Sequence, residues 1–314
     1  MFRYNLNFLR ISFFFLILTS CSTRQNLDDG QKYIQTENGK IWYRIIGSGT
    51  ETPILALHGG PGGKSRYFYP LSSISNERPL ILFDQLGSGK SDHHQDTSLL
   101  HVDNFIEQVK LLKDEIGLEN FYLLGQSWGS ALALEYYLKH PEGIKGLIFS
   151  GPYFSTELWE KDADILISSL SDSIQGIISE AEMSENFDTP EYRYADSVYW
   201  SKFGRRNPWS LHPLDDGKAE SNKFIYNYMW GPSEFTALGT LKNYDNHQNL
   251  SKIKIPTLFI AGEFDEARSS TVQYFQSLVP GSDMAIIKYA GHSSMTDNPD
   301  QYLKELSQFI SKIE

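Results

Sequence analysis

Six short apolar runs recur along the chain, and glycine, proline or polar residues bound each of them. A continuous apolar run of four or five residues is typical of a strand that is buried on both faces, as in a parallel sheet. We therefore predict buried strands at residues 53–57, 79–83, 121–124, 146–149, 257–261 and 284–287. Two further β-rich runs, within residues 33–46, surround Glu37-Asn38-Gly39 and predict a hairpin with an Asn-Gly turn.

Stretches with helical periodicity lie between these runs, at residues 104–116, 130–139 and 301–313. This alternation predicts a mostly parallel, doubly wound α/β sheet. The alternation breaks over residues 153–249, which are rich in serine, acidic and aromatic residues and carry helical patterning. We predict that this segment is a helical cap, inserted into a core that residues 31–152 and 250–314 form.

The N-terminus has the pattern of an export signal. Arg3 and Arg10 precede an apolar run that is too short to span a bilayer as an ordinary anchor, and small residues follow it. Residues 1–20 therefore predict a signal peptide, and Cys21 resembles the lipidated first residue of a mature bacterial lipoprotein. Residues 21–30 would then be a lipidated tether that holds the protein to a membrane of the cell envelope. The alternatives are a plain signal peptide and an uncleaved anchor.

Composition narrows the function classes. The chain has 314 residues and a formal net charge of -11, which argues against nucleic acid as a partner. Cys21 is the single cysteine, so an intramolecular disulfide and a cysteine-rich metal site are excluded. No spacing of histidine and acidic residues resembles a metal site, and we predict neither a metal nor another cofactor.

The third apolar run leads directly into Gly125-Gln126-Ser127-Trp128-Gly129, and a helical stretch follows. A strand, a tight G-x-S-x-G turn and a helix form the nucleophile elbow of the α/β-hydrolase fold. The turn lifts the serine hydroxyl above the sheet, where a base can reach it. The sequence therefore predicts an α/β hydrolase with Ser127 as its nucleophile.

A serine nucleophile needs a general base, and the base needs an orienting acid. In this fold the chain order is serine, acid, histidine. Asp265 follows the fifth apolar run and His292 follows the sixth, so both lie at carboxyl ends of predicted strands, where α/β sheets place their sites. We predict Asp265 as the acid and His292 as the base, with Glu263 as the alternative acid.

A glycine-rich loop at residues 58–62 follows the first apolar run. Glycines in this place let backbone N–H groups approach a substrate carbonyl and stabilise its developing negative charge. We assign this oxyanion hole to the N–H groups of Gly60 and Trp128, with Gly59 as the alternative to Gly60.

These motifs together resemble the proline iminopeptidases and the related tricorn-interacting aminopeptidase. The resemblance extends from about residue 33 to the C-terminus. It is carried by the runs at residues 58–62, 84–91, 125–129, 231–236, 239–242, 262–266 and 291–292. It implies a sheet of about eight strands with a helical cap, and a cofactor-free activity that removes an N-terminal residue, often proline, from short peptides.

The same resemblance implies that two glutamates hold the free ammonium group of the substrate. Glu234 matches the glutamate of the cap motif, and Glu266 matches the one that directly follows the catalytic aspartate. Carboxylates beside a desolvated cation form charge-assisted hydrogen bonds and select a free amine over a blocked one. Four aromatic residues are candidates either for a pocket around the first substrate residue or for ordinary packing: Trp128, Tyr153, Phe154 and Trp230.

Two other function classes compete with an aminopeptidase. One is an esterase, lipase or amino-acid amidase on the same scaffold, which needs no amine-binding glutamates. The other is a non-enzymatic lipoprotein that binds a ligand, which has no need of Ser127, His292 and Asp265 together.

Overall fold

The computed structural model describes residue 1, residues 26–208 and residues 210–314. Cys21 and all but the first residue of the predicted signal peptide lie outside the described residues. Eight strands form one sheet: β1 (Gly30–Thr36), β2 (Gly39–Ile46), β3 (Ile54–Leu57), β4 (Leu80–Phe83), β5 (Phe121–Gln126), β6 (Ile144–Ser150), β7 (Thr257–Gly262) and β8 (Asp283–Ile287).

The strand order is β1-β2-β4-β3-β5-β6-β7-β8. The pairs β1–β2 and β2–β4 are antiparallel, and the six strands from β4 to β8 in this order run parallel to one another. The six strands predicted from apolar runs are the six strands of this parallel part. The prediction of a mostly parallel α/β sheet is confirmed.

The apolar runs are continuous because helices cover both faces of the sheet. In β3, Leu55 and Leu57 pack into one apolar core, whereas Ile54 and Ala56 pack into a second core on the opposite face. Nine α-helices lie among the described residues: α1 (Val102–Glu115), α2 (Trp128–Lys139), α3 (Thr156–Ile167), α4 (Asp172–Ser184), α5 (Pro190–Tyr199), α6 (Lys223–Met229), α7 (Ser269–Ser277), α8 (Ser294–Asp297) and α9 (Pro299–Ile313).

The N-terminal hairpin differs from the prediction by one residue. Thr36 pairs with Gly39, so the two-residue turn consists of Glu37 and Asn38 rather than of Asn38 and Gly39. The side chain of Thr36 stabilises this register, because its hydroxyl donates to the Gly39 carbonyl at 2.7 Å and accepts from the Asn38 N–H at 3.1 Å.

The segment between β6 and β7 contains helices α3 to α6 and none of the eight strands. It has an apolar cluster of its own, in which Ile174 and Ile178 of α4 meet Tyr192 and Tyr199 of α5. This agrees with the helical patterning of the sequence. The division into a core and a cap with the boundaries given above stays a prediction.

The described chain is attached to the sheet domain before β1 begins. Leu27 is buried and exchanges two backbone hydrogen bonds of 3.2 Å with Gly49. Asp29 accepts a 2.8 Å hydrogen bond from the N–H of Gly47. The last residues of the predicted 21–30 tether are therefore packed against the fold. No helix in the described ranges is long and apolar enough to cross a membrane.

Candidate active site

Ser127 is the single residue between β5 and α2, and its backbone is strained. Its φ and ψ are 54° and −124°, a region that residues with a side chain rarely occupy. Its N–H donates to the Ser150 carbonyl at 3.0 Å, and its own carbonyl accepts from Ser130 at 2.8 Å. Strand β6 and helix α2 thus hold the turn from both sides, and Ser127 lines a cavity.

The glycines of the turn are required by close packing. A Cβ on Gly125 would collide with the carbonyl of Gly129, and a Cβ on Gly129 would collide with the carbonyl of Leu57 in β3. Helix α2 can therefore start directly above the sheet only with glycine at both positions.

His292 and Asp265 form a buried pair. The Asp265 Oδ1 lies 2.8 Å from the Nδ1 of His292, and the two residues are 2% and 3% exposed. The Asp265 carboxylate also accepts from the N–H groups of Gly262 at 3.0 Å and Ala267 at 2.9 Å. These bonds fix the carboxylate so that it accepts the Nδ1 proton and leaves Nε2 as the atom available to a substrate or to Ser127.

The alternative acid, Glu263, lies elsewhere. Its carboxylate accepts from the N–H of Tyr289 at 2.9 Å and lies 3.6 Å from the Nζ of Lys288, on the surface. The structure places Asp265, and not Glu263, against the histidine.

Ser127 and His292 line the same cavity, whose volume is about 980 Å³. The Nε2 of His292 has no hydrogen-bond partner among the described residues. The charged atom that faces it is the Oε1 of Glu266, at 3.7 Å. Catalytic hydrogen bonds are often long in a substrate-free site and tighten when a substrate binds.

The oxyanion loop is packed against the elbow. A Cβ on Gly59 would lie 2.9 Å from the Cβ of Ser127, and both Gly59 and Gly60 line the cavity. In the described part of the chain, the N–H groups of Gly60 and Trp128 donate to no backbone acceptor. The assignment of these two donors to the oxyanion hole stays a prediction.

A buried network joins this loop to the elbow. The Nε2 of His58 accepts from the Gln85 N–H at 3.0 Å, so its Nδ1 donates to the Gly59 carbonyl at 2.8 Å. The Gln85 side chain donates to the His58 carbonyl at 3.1 Å and accepts from the Trp128 indole N–H at 3.1 Å. Burial lowers the pKa of His58, which agrees with a neutral, structural imidazole.

The two glutamates come from different segments: Glu234 belongs to the cap, and Glu266 belongs to the loop between β7 and α7. Glu234 lines the cavity, and burial raises its pKa to about 7. Glu266 is only 1% exposed and lies 3.7 Å from the Nε2 of His292, which lines the cavity. Burial and the negative charge of Glu234 raise the pKa of Glu266 well above the usual value. Burial lowers the pKa of His292, but Asp265 and Glu266 outweigh it, and the result is a pKa of about 9.

Comparisons with known proteins agree with this geometry. Residues 52–299 match the α/β hydrolase fold family. A proline iminopeptidase of Heyndrickxia coagulans is 36% identical over 285 residues, which are 90% of this chain and 98% of the relative. The chain belongs to the proline iminopeptidase family of α/β hydrolases.

More distant members extend the match. A proline iminopeptidase of Saccharolobus solfataricus is 33% identical over 311 residues, covering 96% of this chain and 98% of the relative. The crystal structure of a proline iminopeptidase of Mycobacterium smegmatis superposes with a TM-score of 0.80 at 24% identity, covering 90% of this chain and 98% of that one. The latter likeness concerns the fold alone.

The aromatic residues that line the cavity of this family member are not those named as candidates from the sequence. Trp128, Tyr153, Phe154 and Trp230 are all at most 5% exposed and belong to the main apolar core. The aromatic part of the cavity wall consists of Tyr67, Phe187, Tyr192, Trp200 and Tyr226. A sequence pattern shows that an aromatic side chain is buried, but not which neighbours it meets.

Sequence reasoning also missed Gly151, which follows β6. Its φ is +50°, and a Cβ there would lie 2.7 Å from the Nδ1 of His292 and 3.3 Å from the Oδ2 of Asp265. Only glycine leaves room for the histidine and aspartate pair. The sequence signal that could have indicated this role is the position of Gly151 directly after a buried strand.

The cap contributes supports that no local motif reveals. The cap contains a π-helical turn at Trp200–Gly204. The N–H of His292 donates to the Phe203 carbonyl of this turn, and the N–H of Ser293 donates to the Gly204 carbonyl, both at 2.7 Å. Trp159 of α3 donates its indole N–H to the Glu234 carbonyl at 2.8 Å, and its ring meets the imidazole of His292 edge-on at 5.5 Å. The cap thus positions both the histidine and the glutamate.

A second link joins α3 to the loop that carries Asp265 and Glu266. The buried carboxylate of Asp162 accepts from the Arg268 N–H at 3.2 Å and from the Thr271 hydroxyl at 2.9 Å. Among the residues that the structure describes, no group of three or more histidine, cysteine or acidic side chains is arranged to hold a metal ion.

Proposed function

We propose that this protein is a serine aminopeptidase that releases the N-terminal residue, proline among those accepted, from short peptides. The observation that carries the proposal is that one cavity joins Ser127, His292 and Glu234. A nucleophile, a base and a carboxylate in one cavity suit the cleavage of a bond next to a free amine. The proline iminopeptidase relatives support the same reaction.

In the proposed reaction, neutral His292 accepts the Ser127 proton on Nε2 while Oγ attacks the carbonyl carbon of the first residue. The tetrahedral oxyanion is stabilised by the N–H groups of Gly60 and Trp128. His292 then protonates the leaving amine, and the acyl-enzyme remains. Water, deprotonated by the same Nε2, attacks the ester and releases the free amino acid, and the proton returns to Ser127.

Recognition of the free amine follows from charge. Glu234 reaches the cavity, and Glu266 lies behind it, next to the histidine. A substrate ammonium between two carboxylates forms charge-assisted hydrogen bonds, whereas an acetylated amine has no charge to offer. The ring ammonium of an N-terminal proline carries two N–H bonds, one for each carboxylate, so the pair suits this residue.

We also propose that the mature protein is exported and held to a bacterial envelope membrane through a lipid on Cys21. The pattern of Arg3, Arg10, a short apolar run and small residues supports this. Metabolic labelling with a tagged fatty acid, followed by membrane fractionation, tests it. Cys21→Ala should abolish the label and move the protein into the soluble fraction; an unlabelled wild-type protein would contradict lipidation.

The aminopeptidase proposal is tested with the 4-nitroanilides of proline, alanine and leucine, each with a free and an acetylated amine. We expect turnover of the free-amine substrates and little turnover of the acetylated ones. Equal rates on both would overturn the amine recognition and favour a general amidase or esterase. Ser127→Ala should lose the activity, and an active Ser127→Ala variant would overturn the mechanism.

A further inference from the structure

Two buried ionisable groups face each other in this site without a hydrogen-bond partner. The Nε2 of His292 and both carboxylate oxygens of Glu266 are buried, and none of them forms a hydrogen bond with another described residue. The Oε1 of Glu266 lies 3.7 Å from Nε2. Buried polar groups are almost always paired, because an unpaired one costs folding free energy.

The charges around His292 are mainly negative. Asp265 and Glu266 approach it from the loop after β7, and Glu234 and the more distant Asp196 belong to the cap. Neither Glu234 nor Glu266 forms an ion pair with a lysine or arginine in residues 26–208 and 210–314. Arg193 and Lys223 line the cavity, but Arg193 pairs with Asp188 and Lys223 acts on Asp196. The carboxylates beside the histidine therefore have no cationic partner of their own in the described ranges.

This imbalance keeps a proton on the pair that His292 and Glu266 form. Asp265 and Glu266 raise the pKa of His292 to about 9 against the effect of burial, and burial raises the pKa of Glu266. With a pKa of about 9, His292 carries this proton on Nε2 at neutral pH. The lone pair of Nε2 is then not available to Ser127.

We infer that Glu266 holds the Nε2 of His292 in the substrate-free enzyme, and that a substrate ammonium entering beside Glu234 takes over Glu266 and releases Nε2 to Ser127. The inference rests on the proposed aminopeptidase function. It adds a role for the substrate amine: the cation is not only bound but also switches on the general base. An acetylated substrate fails on both counts, because it neither binds the carboxylates nor frees the histidine.

The proton balance of this step is simple. The substrate brings one positive charge as an ammonium group, and the pair of His292 and Glu266 gives up one proton to solvent. No bond to carbon forms or breaks. The neutral imidazole that remains keeps its Nδ1 proton on Asp265 and accepts the Ser127 proton on Nε2 in the next step.

An ester without an amine separates the two roles of the cation. With 4-nitrophenyl acetate as the substrate, we expect slow turnover at pH 7 that rises towards pH 9. Pyrrolidinium chloride, which supplies the cyclic ammonium alone, should move this rise to lower pH by at least one unit. Turnover at pH 7 should then increase about tenfold, because one pKa unit changes the neutral fraction of the base tenfold.

Glu266→Gln removes the negative charge that faces Nε2. We expect this variant to hydrolyse the ester at pH 7 about tenfold faster than the wild type, to show no further response to pyrrolidinium, and to lose activity on free-amine anilides. Glu263→Gln is the matched control. It makes the same change three residues away, on the surface, and should behave as the wild type in all three assays.

The titration of His292 gives an independent measurement on the wild-type protein. Its ring proton on Cε1, followed by NMR and assigned with His292→Asn, should show a lower pKa in saturating pyrrolidinium than in sodium chloride of equal ionic strength. An unchanged pKa, or an ester profile that neither pyrrolidinium nor Glu266→Gln moves, would overturn the inference. Failure to cleave any free-amine anilide would instead overturn the proposed function, so the two failures are distinguishable.

Discussion

Replacing Gln85 with methionine tests the buried network that joins the oxyanion loop to the nucleophile elbow. Gln85 is 1% exposed, and its side chain bonds to the Trp128 indole N–H and the His58 carbonyl, each at 3.1 Å. Methionine has a similar volume but cannot form these bonds, and both partners stay buried. Each orphaned group costs about 1–3 kcal/mol, so the free energy of unfolding should fall by about 2–6 kcal/mol.

The assay combines denaturant unfolding with steady-state kinetics on proline 4-nitroanilide. We expect kcat to fall about tenfold or more, because the backbone donors on the loop and the elbow lose their alignment. Gln108→Met is the control: Gln108 accepts one bond, from the Leu86 N–H at 2.8 Å. It should cost about 1–3 kcal/mol and leave kcat unchanged. If Gln85→Met is no less stable than Gln108→Met and retains kcat, the network has no catalytic importance.

A glutamate, a glycine and an aspartate in and around the site can each be tested by a single change. Glu234→Gln should lower kcat/KM for free-amine anilides by about 10- to 100-fold, because hydrogen bonds to a charged group contribute about 1.5–3 kcal/mol. The hydrolysis of 4-nitrophenyl acetate should not change. An equal loss on both substrates would contradict amine binding. The pKa of Glu234 is raised to about 7, so its anion is present above that pH. Competitive inhibition of anilide cleavage by pyrrolidinium should therefore weaken as the pH falls through about 7. An inhibition constant that does not change with pH would refute this. Gly151→Ala places a methyl group against His292 at a φ of +50°, so activity should fall far more than helix content measured by circular dichroism. Asp162→Ala orphans the Arg268 N–H and should lower the free energy of unfolding by about 1–3 kcal/mol, measured in urea; unchanged stability would show that the link is dispensable.

The sequence predicts the sheet well because its strands are short and buried on both faces. Such strands leave continuous apolar runs, and the six runs coincide with β3 to β8 to within a few residues. The elbow is predictable for a similar local reason. Gly125, Ser127 and Gly129 satisfy a tight steric requirement between a strand and a helix, and few other residue combinations can do so.

The remainder depends on contacts between distant segments. Helix α7 (Ser269–Ser277) buries only Val272 and Phe275 strongly, so its periodicity is too weak to predict it. The supports from Trp159 and Asp162 reach residues about 75 and 106 positions away. Nothing in the local sequence specifies such a partner, because the type of a side chain determines which hydrogen bonds it can form but not which residue it bonds to.

The π-helical turn of the cap has a consequence for exchanging caps between relatives. Its contacts to the histidine loop are made by the main-chain carbonyls of Phe203 and Gly204. They depend on the path of the backbone rather than on side-chain identity, except that a Cβ on Gly204 would collide with the indole of Trp200. A transplanted cap would therefore keep His292 in place only if it reproduced this path. The cap therefore helps to position the general base, His292. A change of cap that is meant to alter substrate range also alters catalytic competence.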